Sequence, residues 1–296
     1  MMQSRNLKLG ILVLVIALVA ALIFGVGLGQ DFTDGYLVRI NSANAFDEVT
    51  VNKIYEAFGG KLGELRIQYA QDHYNAQLLI HVQKAEQADA DKMVEIALED
   101  NEGAYLRGFD TVTNHNGAAA FRKYTFFVLV VYLLGMAYVW YRQGRSGGVA
   151  ALAGSSAAFL LVIAIQSIAG MYFSEATFMG VSVLTIVFAQ MMIYLLNDSA
   201  DAKAGLLEGE DADTLAKKAW TGGKSKVIVL TAAIAIFALT GCVMAEGVIR
   251  NFMTAILMGA CSAALMTVLI GLPTYVLFAH KYMLKAGAKK KAKAIK

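Results

Sequence analysis

The chain has 296 residues, 57% of them hydrophobic and only 17% charged, with a mean hydropathy of +0.54 and a formal net charge of +3. Soluble domains average roughly 45–50% apolar and about 25% charged residues, so the composition excludes an ordinary soluble globular protein. Two cysteines, Cys242 and Cys261, each inside an apolar run, supply neither a disulfide framework nor metal-ligand spacing.

The first apolar run covers about Leu9 to Leu28 and follows Arg5 and Lys8. Roughly 20 apolar residues cross a bilayer, and this run is too long for a cleaved leader and lacks a small-residue exit. It reads as an uncleaved anchor, so residues 1–30 form an N-terminal end plus first span. Residues 31–122 are polar by comparison. "YLVRIN" alternates as a half-buried strand does. "NAFDEVTVNKIYEAFGG" has helical spacing, Asn44 as a possible cap and Gly59–Gly60 at its end. "ELRIQYA" and "AQLLIHVQ" flank the turn formers "QDHYN" as a hairpin would. "AEQADADKMVEIALEDNEG" reads as a second amphipathic helix and "AYLRGFDTV" as a last strand. The order βαββαβ is that of a ferredoxin-like α+β sandwich.

Five further spans read at about Tyr124–Tyr141, Gly148–Phe173, Ala176–Leu196, Val227–Met244 and Phe252–Ala279, with Pro273 able to kink the last. The expected fold class is therefore a polytopic α-helical membrane protein of six transmembrane helices. Its small extracytoplasmic domain, 31–122, follows the first helix, and a five-helix region, 123–280, holds a connecting loop at 198–226. Arg5, Lys8, Arg142, Arg145, Lys203, Lys217, Lys218, Lys224, Lys226 and the seven lysines of 281–296 fall on one side, whereas the short opposite loops carry Arg250 alone. The positive-inside rule places both termini and the basic tail in the cytoplasm, with 31–122 outside. A polybasic end beside an apolar helix marks a membrane face, where it meets lipid headgroups, more often than it binds nucleic acid. In the 198–226 loop, "EDADTLAKKAW" has helix character, and it could lie along the membrane surface with Leu215 and Trp220 facing lipid. A solvated connecting helix is the plainer reading.

The junction after the first span, "LGQDFTDGYLVRI", resembles the "G-x-D-F-x-G-G-T" signature of SecF, an accessory subunit of the bacterial Sec protein translocase. Asp31, Phe32 and Gly35 match it, while Asp34 replaces a glycine. The span count, the small domain and "EGVIRNFMTAILMGACSAAL", with Gly259 at a family glycine, extend the resemblance along nearly the whole chain. It implies a SecD-like partner, the Sec translocon channel, a translocating polypeptide as client, a plasma-membrane location and use of the proton-motive force. No cofactor is implied.

The proton machinery is where the resemblance fails. The family's fourth span carries "G-Y-S-I-N-D-T-V" with a buried Asp, then "D-R-I-R-E". Matching the interfacial acid to Asp198 puts Met192 at the buried acid's position, with Gln190 and Met191 beside it. Glutamine can hydrogen-bond but cannot exchange a proton near neutral pH. "DSADA" lacks both arginines, and "ALAGSSAAFLLVIAIQ" lacks the family's third-span acid. An arginine at the start of the fifth span corresponds to Lys226, which keeps the charge but not the bidentate geometry and also suits an ordinary interfacial anchor. Either a SecD-like partner holds the relay or coupling has been lost. The four histidines, His73, His81, His115 and His280, form no metal pair, and no nucleophile triad or phosphate loop stands out. Enzymatic function is not expected. Two other classes stay open: an RND-type half-transporter for a lipid or small molecule, and a non-transporting membrane assembly factor.

Overall fold

The computed structural model describes residues 2–29, 32–63, 65–72, 75–113, 117–175, 177–198, 211–244 and 247–279. The chain divides into two compact units, an α/β unit of 28–123 and a helical unit of 1–27 with 124–296.

In the α/β unit the order is β1 (Gly35–Ser42), α2 (Glu48–Phe58), β2 (Leu65–Asp72), β3 (Asn75–Val82), α3 (Gln87–Asp100) and β4 (Tyr105–Val112). The strands form one antiparallel sheet in the order β2-β3-β1-β4. Alternation sends Val38, Ile40, Leu78 and Ile80 to one face, where they meet Ile54 and Phe58 of α2 and Ala90, Met93 and Ala97 of α3. The α2 cap is not Asn44. Asp47 occupies that position in extended backbone without a side-chain cap bond, and the Asn44 amide instead donates to Ser42 Oγ (3.1 Å). Glu86 and Asp89 form a reciprocal capping box at the start of α3. The hairpin histidine His73 lies outside the described residues. His81 pairs across the ladder with Arg66 and Leu37, and burial first, then Arg66, holds its imidazole below the usual histidine range.

Among the described residues five helices are long and apolar enough to cross a membrane, against six spans expected. They are α1 (Met2–Phe24), α4 (Gly117–Ile168), the segment Thr177–Asn197 containing α5 (Ser182–Asn197), α6 (Ala212–Met244) and the stretch Ile249–Ala279, which takes in all but the first two residues of α7 (Gly247–Met266). The count differs because the second and third expected spans join in one 52-residue element, α4. At about 1.5 Å per residue its contour is on the order of 78 Å, over twice a hydrocarbon core of roughly 30 Å. Gly144 interrupts it with φ 73° and ψ −168°, a left-handed conformation suited to glycine. The break is held against the end of α5: Gln143 Nε2 donates to the Tyr194 carbonyl (2.8 Å), and the Tyr138 and Tyr194 rings lie 5.9 Å apart.

Among the described residues two π-helical segments occur, Thr177–Val181 before α5 and Thr267–Gly271 after α7. The second is how the chain accommodates Pro273: a wider turn precedes the proline and the helix continues to Ala279. Gly10, Gly154 and Gly271 bring α1 and α4 close to this turn, since a Cβ on Gly154 would stand 3.1 Å from the Gly271 Cα.

The expected loop helix is also placed differently. Residues 212–226, assigned by sequence to the connecting loop, are helical and continuous with α6. Leu215 does not face lipid: it is buried with Ala216 and Ala219 against Met192, Ile193, Leu196 and Tyr275, and Trp220 packs partly buried at their margin. Gly223 makes this possible by resting against the Leu196 backbone, 2.7 Å from where its Cβ would be.

Candidate functional site: a neutral polar junction and groove in the helical unit

Helix α5 contributes Gln190 and Met192 from opposite sides. Gln190 is 3% exposed, and its Nε2 donates to the carbonyl of Tyr132 on α4 (3.0 Å). Its Oε1 is buried without a hydrogen-bond partner. Glycine at 135 makes room for it, because any Cβ there would collide with that oxygen. Tyr132 extends the junction through its hydroxyl, which shares a 2.7 Å hydrogen bond with Ser156 Oγ and also donates to the Leu152 carbonyl (3.1 Å). Met192 is fully buried in the apolar cluster with Leu196, Leu215 and Val276.

Every buried polar side chain of the helical unit among the described residues is neutral: Ser155, Gln166, Ser167, Ser174, Thr177, Ser182, Thr185, Gln190, Asn197, Ser262 and Thr267. Several are tied down locally. Ser174 and Thr177 cap each other reciprocally at the start of the first π segment, and Thr267 Oγ1 reaches the Ala189 carbonyl (3.4 Å). Gln166, Thr185, Gln190, Asn197 and Ser262 each keep an unpartnered buried polar atom. The arrangement can orient dipoles and hold helices together by hydrogen bonds. Among the described residues of this unit no buried side chain is a carboxylate or an ammonium that could accept and release a proton.

A groove of about 360 Å³ runs beside this junction. Val128 and Leu129 from the first half of α4, Phe159 and Leu160 from its second half, and Phe178 and Ile186 line it. Tyr132 and Ser156 close one end and Thr125 stands at the other. Just before Thr125, the Tyr124 hydroxyl donates to the exposed carboxylate of Glu175.

The other residues singled out by sequence are dispersed. Lys226 is exposed on α6, whereas Gln190 and Met192 are buried. Asp198 ends α5, its amide donating to the Tyr194 carbonyl (2.9 Å). In the α/β unit, Asp31 lies outside the described residues. Phe32 is buried, with its ring edge-on to Phe121 at 5.4 Å, and its amide closes a turn onto the Gly29 carbonyl (3.0 Å). Gly35 sits where a Cβ would stand 2.7 Å from the Val82 carbonyl, so the first strand residue after the junction has little room for a side chain. Cys242 lies 3.4 Å from Thr254 Oγ1 and Cys261 is exposed. Among the described residues no cluster of His, Cys, Asp and Glu could hold a metal ion. Tyr132, Gly135 and the groove were not singled out by sequence; Ser155 and Ser156 were noted only as standing in the third span where the family has its acid.

No protein-family model matches the sequence, and no curated protein matches it. Solved structures do. A structure of SecDF in a super-membrane-facing form aligns with 97% of this chain at a TM-score of 0.77 and 17% identity. SecDF from Thermus thermophilus, described as a translocon-associated membrane protein, aligns with 95% at a TM-score of 0.63 and 18% identity. The chain spans 39% and 38% of those two proteins. At such identities the shared property is the three-dimensional arrangement: this membrane protein has, over nearly its whole length, the fold of about two-fifths of SecDF.

Proposed function

We propose that the chain is a SecF-like member of the SecD/SecF family, an accessory subunit of the Sec translocase that assists protein export across the plasma membrane. The observation that carries this reading is the likeness to SecDF across 97% of the chain although the chain spans only 39% of SecDF. In this reading the part of SecDF outside the aligned region corresponds to its SecD-like portion. In this reading α4 counts as two crossings broken at Gly144, giving six in all, the α/β unit is a ferredoxin-like domain outside the membrane, and both termini are cytoplasmic. The sheet order β2-β3-β1-β4 and the basic residues Arg142 and Arg145 flanking the break support it.

The neutral interior bears on coupling. Proton-driven export needs an ionisable group within the membrane, and Met192 and Gln190 occupy the region where the family holds its acid. A SecD-like partner then supplies the relay, while this subunit contributes the opposing wall and the outside domain. Purification in mild detergent with identification of the bound chains tests the assignment. A six-span SecD-like subunit and the translocon channel are expected. Recovery as a lone stable oligomer contradicts the proposal, and recovery with a periplasmic adaptor instead supports a half-transporter. Export by the reconstituted pair is expected to collapse with the proton gradient; export indifferent to the gradient would sink the coupled version.

A further inference from the structure

We propose that the groove between the two halves of α4 and α5 is a binding site for one amine-headed phospholipid, with an acyl chain along the groove and the ammonium at Glu175. The groove's volume, about 360 Å³, falls within the roughly 300–1,000 Å³ of small-ligand sites. Its walls, including Val128, Leu129, Phe159 and Ile186, belong to helices long and apolar enough to cross a bilayer. The medium around such walls is hydrocarbon, so the apolar molecule at highest concentration is the bilayer's own chain. Tyr124, Val128 and Tyr132 stand four residues apart on one face of α4, about 12 Å from first to last, so the groove follows the helix axis as a lipid chain does.

The two ends differ. At the Tyr132 end the Tyr132 and Ser156 hydroxyls satisfy each other and the Leu152 carbonyl, so no hydroxyl donor is left unpaired against a chain terminus. Past the Thr125 end, outside the residues that line the groove, the Tyr124 hydroxyl donates to Glu175 and orients an exposed carboxylate three residues before the lining residue Phe178. That charge complements an ammonium carrying N–H donors and repels a purely anionic head. Arg122 precedes Tyr124 but turns back to the Ala118 carbonyl (3.3 Å); Lys123 lies between them in sequence, so an anionic lipid belongs in the test. Phosphatidylethanolamine is the occupant of this chemistry.

The test uses the full-length protein in nanodiscs of phosphatidylethanolamine, phosphatidylcholine and phosphatidylglycerol, followed by native mass spectrometry of retained lipids. One phosphatidylethanolamine per chain is expected. Leu129→Trp, which fills the groove, is expected to abolish retention, while Val229→Trp on the exposed side of α6 leaves it unchanged. Glu175→Gln is expected to keep one lipid bound but cut the headgroup preference about two- to fivefold, as for a solvent-accessible ion pair. A phosphatidylethanolamine with a photoreactive group in its acyl chain is expected to label the 125–132 and 156–160 stretches of the unaltered protein, which keeps the proposal testable if Leu129→Trp does not fold. Undiminished retention by a folded Leu129→Trp, a preference for phosphatidylglycerol or phosphatidylcholine, or labelling elsewhere overturns it. No partner chain enters the measurement, so its failure leaves the translocase reading standing, and the reverse holds as well.

Discussion

Val38, Ile40, Ile54, Leu78, Ile80 and Met93 close the core of the α/β unit, whereas Ala157, Ala158, Ala164, Ala189 and Ala263 fill much of the central contact of the helical unit. The contrast follows from the solvent each unit faces. In water, burying large aliphatic side chains supplies the driving force, roughly 25 cal/mol for each Å² removed. In lipid no such gain exists between apolar surfaces, and helices associate by close backbone packing and hydrogen bonds instead. Polar groups differ in the same sense. In the α/β unit Ser42 donates to Asn101 (2.8 Å), Asn101 donates on to the Asn44 and Ala45 carbonyls, and Thr50 reaches Asp100 beside Lys53. In the helical unit backbone carbonyls are the commonest partners, as for Gln143, Ser155, Ser167, Gln190 and Thr231.

The sharpest way to break this contrast is to place an acid among the buried residues of α5. Met192→Asp is expected to cost about 3–5 kcal/mol, the range for an uncompensated buried charge, read as a lower thermal midpoint in detergent. Leu98→Asp, on the 43% exposed side of α3, is expected to stay within about 0.5 kcal/mol. Met192→Asp with full stability would show that the interior admits water. Next in size is a large-to-small change in the aqueous core. Leu78→Ala should destabilise the α/β unit by about 2–5 kcal/mol, visible as faster hydrogen exchange across β1 and β3 in the intact protein. Gly135→Ala, the corresponding challenge to close packing, drives a methyl into Gln190 Oε1 and is expected to cost about 1–3 kcal/mol. In a Gln190→Ala background that cost should shrink; an undiminished cost would place the clash elsewhere.

The smallest effects are those of pH on the α/β unit. The His81 imidazole is held below its ordinary value, so its contribution is complete above about pH 6.5 and is lost as pH falls through the lowered folded value. The Asp100 carboxyl is held low by the Lys53 ammonium first, then Thr50, and Lys53 is raised by Asp100 first. The Asp100 contribution is lost as acid protonates it below its folded value. The Lys53 contribution is lost as pH rises through a value above 10.5. His81→Gln is expected to flatten the mild-acid decline, measured by exchange or urea unfolding at a series of pH values. A decline unchanged in that variant would assign it to another group.

Much of the architecture was legible because its signals are local. Alternation in "YLVRIN" and "AQLLIHVQ" marks strands whatever they pair with, and long apolar runs mark membrane helices. What escaped depends on partners distant in sequence. Asn44 and Asp47 are both acceptable caps, and only the fold selects between them. Leu215 lies on an apolar stripe that suits lipid or protein equally, and Gly223 against Leu196 decides it. The junction at Gln190 depends on Gly135, on the opposite helix, and on Tyr132 meeting Ser156 across the turn at Gly144. Met192 and Gln190 were legible as uncharged residues of an apolar span; their burial and their partners were not.

Gly144 gives the chain a parity as well as a bend. In the six-crossing reading, one backbone angle of +73° decides whether the residues before and after it count as an odd or an even number of passages. A residue that straightened the break would part the two halves of α4 and break the Tyr132–Ser156 bond. In this reading it would also reassign the side of the membrane on which each later loop emerges, which labelling of each loop from either side would reveal.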